Sequence, residues 1–194
     1  MDVDYCVHAM IDRIETNAIM ERFEMQFLME ERRCIFKSDV PQMVVSNQEL
    51  GPFRKGQEVK LPNWAIEKFS ARGLVDIHQN DEYESTMELK KLYQLEKGQP
   101  YNLQRFPSFI YTATGRRLLQ LQGDKTSLDP KRYEGIENIQ QMISVIVETR
   151  LAKIVDIAKS GGNHDKRKQM AHEEQWLLDR LSYLIDTWRE MLKE

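Results

Sequence analysis

The chain has 194 residues, 28 basic and 31 acidic side chains and a net charge of -3, so it can bury a core without disulfides or a structural metal. So even a balance excludes a global field that would hold a nucleic-acid backbone; any such contact must be local, and protein partners are expected. Cys6 and Cys34 in unrelated contexts, no Asn-X-Ser/Thr site, acids from Asp2 to Glu21 near the start and no long apolar run point to a reducing compartment without membrane insertion.

Residues 1–30 read as a helical segment. Val3, Val7, Met10, Ile14 and Ala18 recur at three- and four-residue spacing and are followed by Phe23, Phe27 and Leu28, with a break expected near Thr16 and Asn17. Met10, Met20, Met25 and Met29 suit either an adaptable contact surface or gap-filling in a core.

Between residues 31 and 79 the pattern becomes that of a small β-rich domain. Cys34-Ile35-Phe36, Met43-Val44-Val45 and Val59-Lys60-Leu61 are β-prone runs separated by Ser38-Asp39, Ser46-Asn47 and Gly51-Pro52 turns. Leu61-Pro62-Asn63 sets up a helix with Trp64, Ile66, Phe69 and Ala71; Gly73 ends it before a last strand, Leu74 to Ile77.

Residues 80–194 form the predicted helical domain, which makes the fold class α+β and mostly α-helical. Helices are expected over 82–97, over 109–121 and from Asp129-Pro130 to Ser160, with a polar hairpin from Asn163 to Gln169 and a final helix carrying Leu177, Leu181, Leu184, Ile185, Trp188 and Leu192. Arg150 falls on the apolar stripe that runs from Ile136 to Ile157, so it needs a carboxylate. Glu173 or Glu174 meets it if the last two long helices pack antiparallel around Gly161-Gly162.

Catalytic chemistry has no foothold: there is no Gly-X-Ser-X-Gly elbow, no phosphate loop in Gly51 to Gln57, and Cys6 and His8, two apart on a helix, point in different directions. We therefore expect no enzyme activity, no cofactor and no metal. Short basic clusters at Arg32-Arg33, Arg54-Lys55, Arg116-Arg117 and Lys166 to Lys168 read mainly as solvated surface, with Arg54, Lys55, Arg116 and Arg117 as candidate DNA or partner contacts. The wide apolar stripes of the last two long helices nominate Ile143, Ile146, Ile154, Leu181 and Trp188 for an interface.

Phe36 to Pro41, Gly56 to Leu61, Leu61-Pro62-Asn63-Trp64 with its helix, and Gly73-Leu74-Val75 resemble, in order and spacing, the small β domain of GINS subunits. Pro100 to Leu103, the helix with Phe109, Tyr111 and Gly115, and Arg150 with Glu173-Glu174 resemble the GINS helical domain. The resemblance implies a non-catalytic subunit of the type with the β domain first. It would join a subunit of opposite domain order in a tetramer and bind the MCM helicase and a RecJ-like, Cdc-type partner during DNA replication. The helical domains would pack together with the β domains at the periphery. An archaeal, chromosome-associated cytoplasmic protein is implied, or a nuclear one in a eukaryote. Pro62, Trp64, Arg150, Glu173 and Glu174 are the structural positions. The other reading is a winged-helix transcription regulator: 64–72 would be the recognition helix, Gly51 to Gly56 part of a wing, and the C-terminal helices would dimerise.

Overall fold

The computed structural model describes residues 3–45, 48–123, 130–161 and 164–192. The Ser46-Asn47 turn, Asp129, Gly162 and Asn163, and the side chains of Cys6 and His8, lie outside the described residues. The chain divides into two compact units, Met1–Glu82 and Tyr83–Glu194.

The first unit opens with α1 (Val3–Met29), a single helix running through Thr16 and Asn17 without the expected break. Those two residues have poor helix propensity, but they cost only a few tenths of a kcal/mol each, too little to interrupt a long helix. Then come β1 (Glu31–Phe36), β2 (Met43–Val45), β3 (Gln48–Leu50), β4 (Glu58–Pro62), α2 (Asn63–Ser70) and β5 (Val75–Ile77), with a short 3-10 turn at Gln79–Asp81. β1 is the centre of an antiparallel sheet ordered β4-β1-β5, with Cys34 opposite Val59 on one side and Ile77 on the other. β2 and β3 form a separate hairpin. Gln48-Glu49-Leu50 carries no β-prone run, so pairing with β2 and not propensity makes it a strand.

Alternation along β1 turns Arg32, Cys34 and Phe36 inward. Phe36 stacks on Phe53 with centroids 4.2 Å apart, and Phe69 from α2 meets both rings edge-on. Burial of Cys34 pushes its thiol up to about 11, which makes it an inert core residue. Arg32, expected on the surface, is buried: its guanidinium lies over the Phe27 ring, and Nε donates to Asn63 Oδ1. Its neighbour Arg33 forms a fork with both carboxylate oxygens of Asp81 at 2.9 Å, holding that carboxyl down to about 2.

In the second unit, α3 (Thr86–Gly98) starts after Ser85, whose hydroxyl accepts the Glu88 amide at 3.3 Å, and not at Glu82. α4 (Ile110–Gly123), α5 (Pro130–Lys159), a short α6 (His164–Arg167) and α7 (His172–Met191) complete it. α5 is the axis on which α3, α4 and α7 pack. α5 and α7 run parallel, correcting the antiparallel expectation: Arg150 meets Glu174, while at the far end Arg189 Nη2 donates to the Lys159 carbonyl at 2.9 Å. The physical reason is the segment after α5, which brings the Gln169 carbonyl back to Arg150 before α7 begins. A tight hairpin at Gly161 would have reversed the helix; this connector reverses the chain twice.

Candidate functional site

Two features of the helical unit stand out: a buried cluster of charges and an exposed apolar ridge. The cluster begins with Arg150, 1 % exposed, one turn from both Ile146 and Ile154 in the core. Its Nε and Nη2 hold Glu174 in a bidentate fork at 2.7 and 2.6 Å. Nη1 reaches Glu96 Oε1 at 2.9 Å and the Gln104 carbonyl at 2.8 Å, and Nη2 reaches the Gln169 carbonyl at 3.5 Å. All five guanidinium donors are thus directed at acceptors. The Phe106 ring lies 4.0 Å beneath the guanidinium.

Lys153, one helical step on, completes the charge balance. Its Nζ binds Glu96 Oε2 and donates at 2.8 Å to each of the Gln99 and Asn102 carbonyls. Two cations therefore face two carboxylates, and the irregular 99–109 stretch is tied down through its backbone. Glu174 Oε1 also accepts the Tyr111 hydroxyl at 2.6 Å, and its Oε2 accepts the Ala171 amide at 2.9 Å, which fastens the start of α7.

Burial alone would lower the Arg150 pKa, but the bond to Glu174 and the charges of Glu174 and Glu96 outweigh it, and the group is held more firmly protonated. Burial, reinforced by Glu174, pushes the Tyr111 hydroxyl well up. Each charged group here is enclosed and saturated with partners, so none is poised to exchange a proton with a substrate. The cluster is architectural in what it can do: it locks α3, α4, α5 and α7 into one arrangement.

Of the two carboxylates considered for Arg150, the structure selects Glu174. Glu173 faces away and accepts the Thr112 amide at 3.2 Å and its hydroxyl at 2.8 Å; burial raises its pKa. Glu96 and Lys153 were missed by sequence reasoning. Lys153 was detectable in principle, since it lies three residues after Arg150 beside the same stripe.

The interface candidates separate. Ile146 and Ile154, nominated for an interface, are buried in the unit's own core, because the stripe they sit on is covered by α3, α4 and α7. Ile143 and Leu181 are half-buried at core margins. Trp188 is exposed, and Leu184, Met191 and Leu192 stand with it, all 60 to 72 % exposed. Leu184 lies four residues before Trp188, and Met191 and Leu192 lie three and four after it, which sets them along one side of the helix, a signal already present in the sequence.

The other candidates lie apart from the cluster. Arg54 and Lys55 are exposed in the turn between β3 and β4, where the Lys55 amide donates to Asp39 Oδ1 at 2.7 Å. Arg116 and Arg117 are half-buried on α4 and both are engaged in interactions. Arg167 pairs with Asp179 on the surface. Trp64 packs half-buried against the β core, and Pro62 ends β4 with φ -64° and ψ 147°, directing the chain into α2. Nothing here favours the winged-helix reading: Ala65, Ile66 and Phe69 of α2 pack in the core, and its exposed basic residues are Lys68 and, just past its end, Arg72.

Asn63 had been read only as part of a helix start. It is fully buried: its Nδ2 donates to the Phe27 carbonyl at 2.7 Å and its amide to the Glu30 carbonyl at 2.9 Å, satisfying the C-terminal end of α1. Among the described residues, no three His, Cys, Asp or Glu converge as a metal site, and no helix is long and apolar enough to cross a membrane.

Residues 83–193 match the model of the Sld5 family, a GINS complex protein helical bundle domain. No curated protein matches the chain. With more than half its length matched, and with a strand-containing unit followed by a helical bundle, the chain belongs to the GINS family of non-catalytic DNA replication subunits.

Proposed function

We propose that this chain is a scaffold subunit that joins a GINS subunit of opposite domain order in a four-chain assembly, two copies of each. That assembly holds the MCM helicase and a RecJ-like, Cdc-type partner in one productive geometry. The observation that carries the reading is the far half of α7, where Leu184, Trp188, Met191 and Leu192 are exposed on a helix whose opposite side is anchored to α5. Exposed apolar ridges of this kind mark protein contacts, and a large aromatic at the centre is the usual anchor. The buried charge cluster supports the ridge by fixing the direction in which α7 leaves the bundle. Work on the helicase would come from binding one arrangement of the partners better than others, without chemistry supplied by the subunit. The β-rich unit stays at the periphery, where Arg54 and Lys55 are available to a partner or to DNA. The setting is an archaeal cytoplasm, on the chromosome.

The test is light scattering after co-expression with a GINS subunit of opposite domain order. A mass near four chains is expected, and Trp188→Asp should leave unassociated chains with an unchanged melting temperature. A homodimer that ignores that subunit and shifts duplex DNA in a salt-dependent manner would overturn the proposal.

A further inference from the structure

We infer that the Gln99–Asn102 turn presents Tyr101 as the anchor of a docking site for an acidic segment of a protein partner. The turn is held from both ends. Pro100 stands at its second position, where a fixed φ favours a turn, and the Asn102 amide closes it on the Gln99 carbonyl at 3.3 Å. Lys153 grips it from the bundle side: its Nζ donates at 2.8 Å to the carbonyls of Gln99 and Asn102 while it binds Glu96. Leu103 follows directly and is buried beside Ile154 and Ile157. Tyr101, the third residue of the turn, is nevertheless 94 % exposed, the most of any large hydrophobic side chain among the described residues. A large ring on a segment already ordered loses little further entropy when a partner covers it. The turn lies on the connector between α3 and α4 and draws on none of the residues of the α7 ridge.

Charge decides the kind of partner. From Lys90 to Phe109 the exposed charged side chains are Lys90, Lys91, Lys97 and Arg105, all of them cations. The one carboxylate in that stretch, Glu96, is buried and taken by Arg150 and Lys153. Lys91 pairs with Glu88, and Lys97 lies over the neutral Tyr93 ring, so Lys90, Lys97 and Arg105 have no acid in the stretch to balance them. On α5 at this level, the exposed Asp156 pairs with Lys159, and Glu148 lies about 140° round the helix from Lys153. Cations set about an exposed tyrosine complement Asp and Glu on a partner, and the hydroxyl adds a donor for a carboxylate. Nucleic acid is the poorer fit, because one ring gives no platform on which successive bases stack.

The experiment titrates three labelled probes with the full-length chain by fluorescence anisotropy: a peptide alternating Glu with Leu and Phe, the same peptide with Lys for Glu, and single-stranded oligothymidine. We expect the Glu peptide to bind at least about tenfold more tightly than either of the others, and added salt to weaken it. Tyr101→Ala should weaken it by about tenfold, and Lys97→Glu with Arg105→Glu should remove its advantage over the Lys peptide. All three side chains are exposed, so unchanged melting curves will certify the variants' folds. No binding of the Glu peptide, equal binding of the two peptides, or indifference to Tyr101→Ala would overturn the inference. Tighter binding of oligothymidine that Tyr101→Ala abolishes would overturn it in favour of nucleic acid.

Discussion

Replacing Arg150 with Met keeps much of the side chain's length while deleting its charge, which isolates the electrostatic part of the cluster. What remains is two buried carboxylates, Glu96, still paired with Lys153, and Glu174, left without a cation. Leaving a buried carboxylate without its partner costs about 3–5 kcal/mol. For a unit the size of Tyr83–Glu194, each kcal/mol lowers the melting temperature by about 4 °C, so the helical transition should fall by roughly 12–20 °C. Arg167→Met is the control, because the Arg167–Asp179 pair is 40 and 53 % exposed and such pairs contribute at most about 1 kcal/mol. Pairing Arg150→Met with Glu174→Leu restores neutrality, since Glu96 and Lys153 still balance, and should recover part of the loss. Recovery stays incomplete because the Tyr111 hydroxyl and the Ala171 amide lose their acceptor. Differential scanning calorimetry of the four proteins supplies the numbers. If Arg150→Met melts no lower than Arg167→Met, the cluster does not hold the bundle together and the reasoning fails.

Glu173 is held with a raised pKa, so its native form binds a proton more tightly than the unfolded chain does, and its ionisation erodes stability as pH rises from its ordinary value of 4.5 through the raised one. The melting temperature of Glu173→Gln relative to the parent should therefore climb between weakly acidic and neutral pH; a flat or falling difference would contradict the assignment. Asp81 works in the opposite sense: its carboxyl is held at about 2 against an ordinary 3.8, so its contribution is complete above 3.8 and disappears as pH falls towards 2. The gap between parent and Asp81→Asn in acid melts of the first unit should close across that window, and a gap that persists at the acid end would point to a role other than the ion pair with Arg33. Asn63→Ala removes the bond to the Phe27 carbonyl and leaves it buried without that donor, which should cost the first unit about 1–3 kcal/mol. Hydrogen exchange at the end of α1 would report the loss, and unaltered protection there would count against the capping role.

Elements were legible where local chemistry decides them. Pro62 before a helix, Gly73 with its positive φ of 69° after one, and the β-prone runs of β1, β2 and β4 each act within a few residues, and those strands, β5 and α2 fall where the signals place them. β3 and the continuity of α1 were not legible, because pairing with a neighbouring strand and the cooperativity of a long helix overrode weak local preferences. Arg32 shows a further limit. Beside Arg33 it reads as one basic patch, yet strand alternation buries Arg32, whose guanidinium lies over Phe27 and reaches the Asp81 carbonyl, and leaves Arg33 half-exposed on the Asp81 carboxylate.

The charge cluster was half visible for the same kind of reason. A cation on an apolar stripe announces that an anion must be near, and the need is local to α5; which anion meets it depends on how the chain returns after Lys159. An antiparallel hairpin and a parallel return both bring the start of α7 to Arg150 only if the connector has the right length. The sequence between Ser160 and Ala171 carries no signal that separates them. Glu96 was further from reach, being contributed by α3 across 54 positions of sequence. Once α3 is in place, however, its single carboxylate satisfies Arg150, Lys153 and the Gln104 amide together, so one distant residue closes three needs that the local sequence leaves open. Partners that answer a buried charge are therefore set by topology, while the demand for them is set by periodicity, and only the demand can be read before the fold is known.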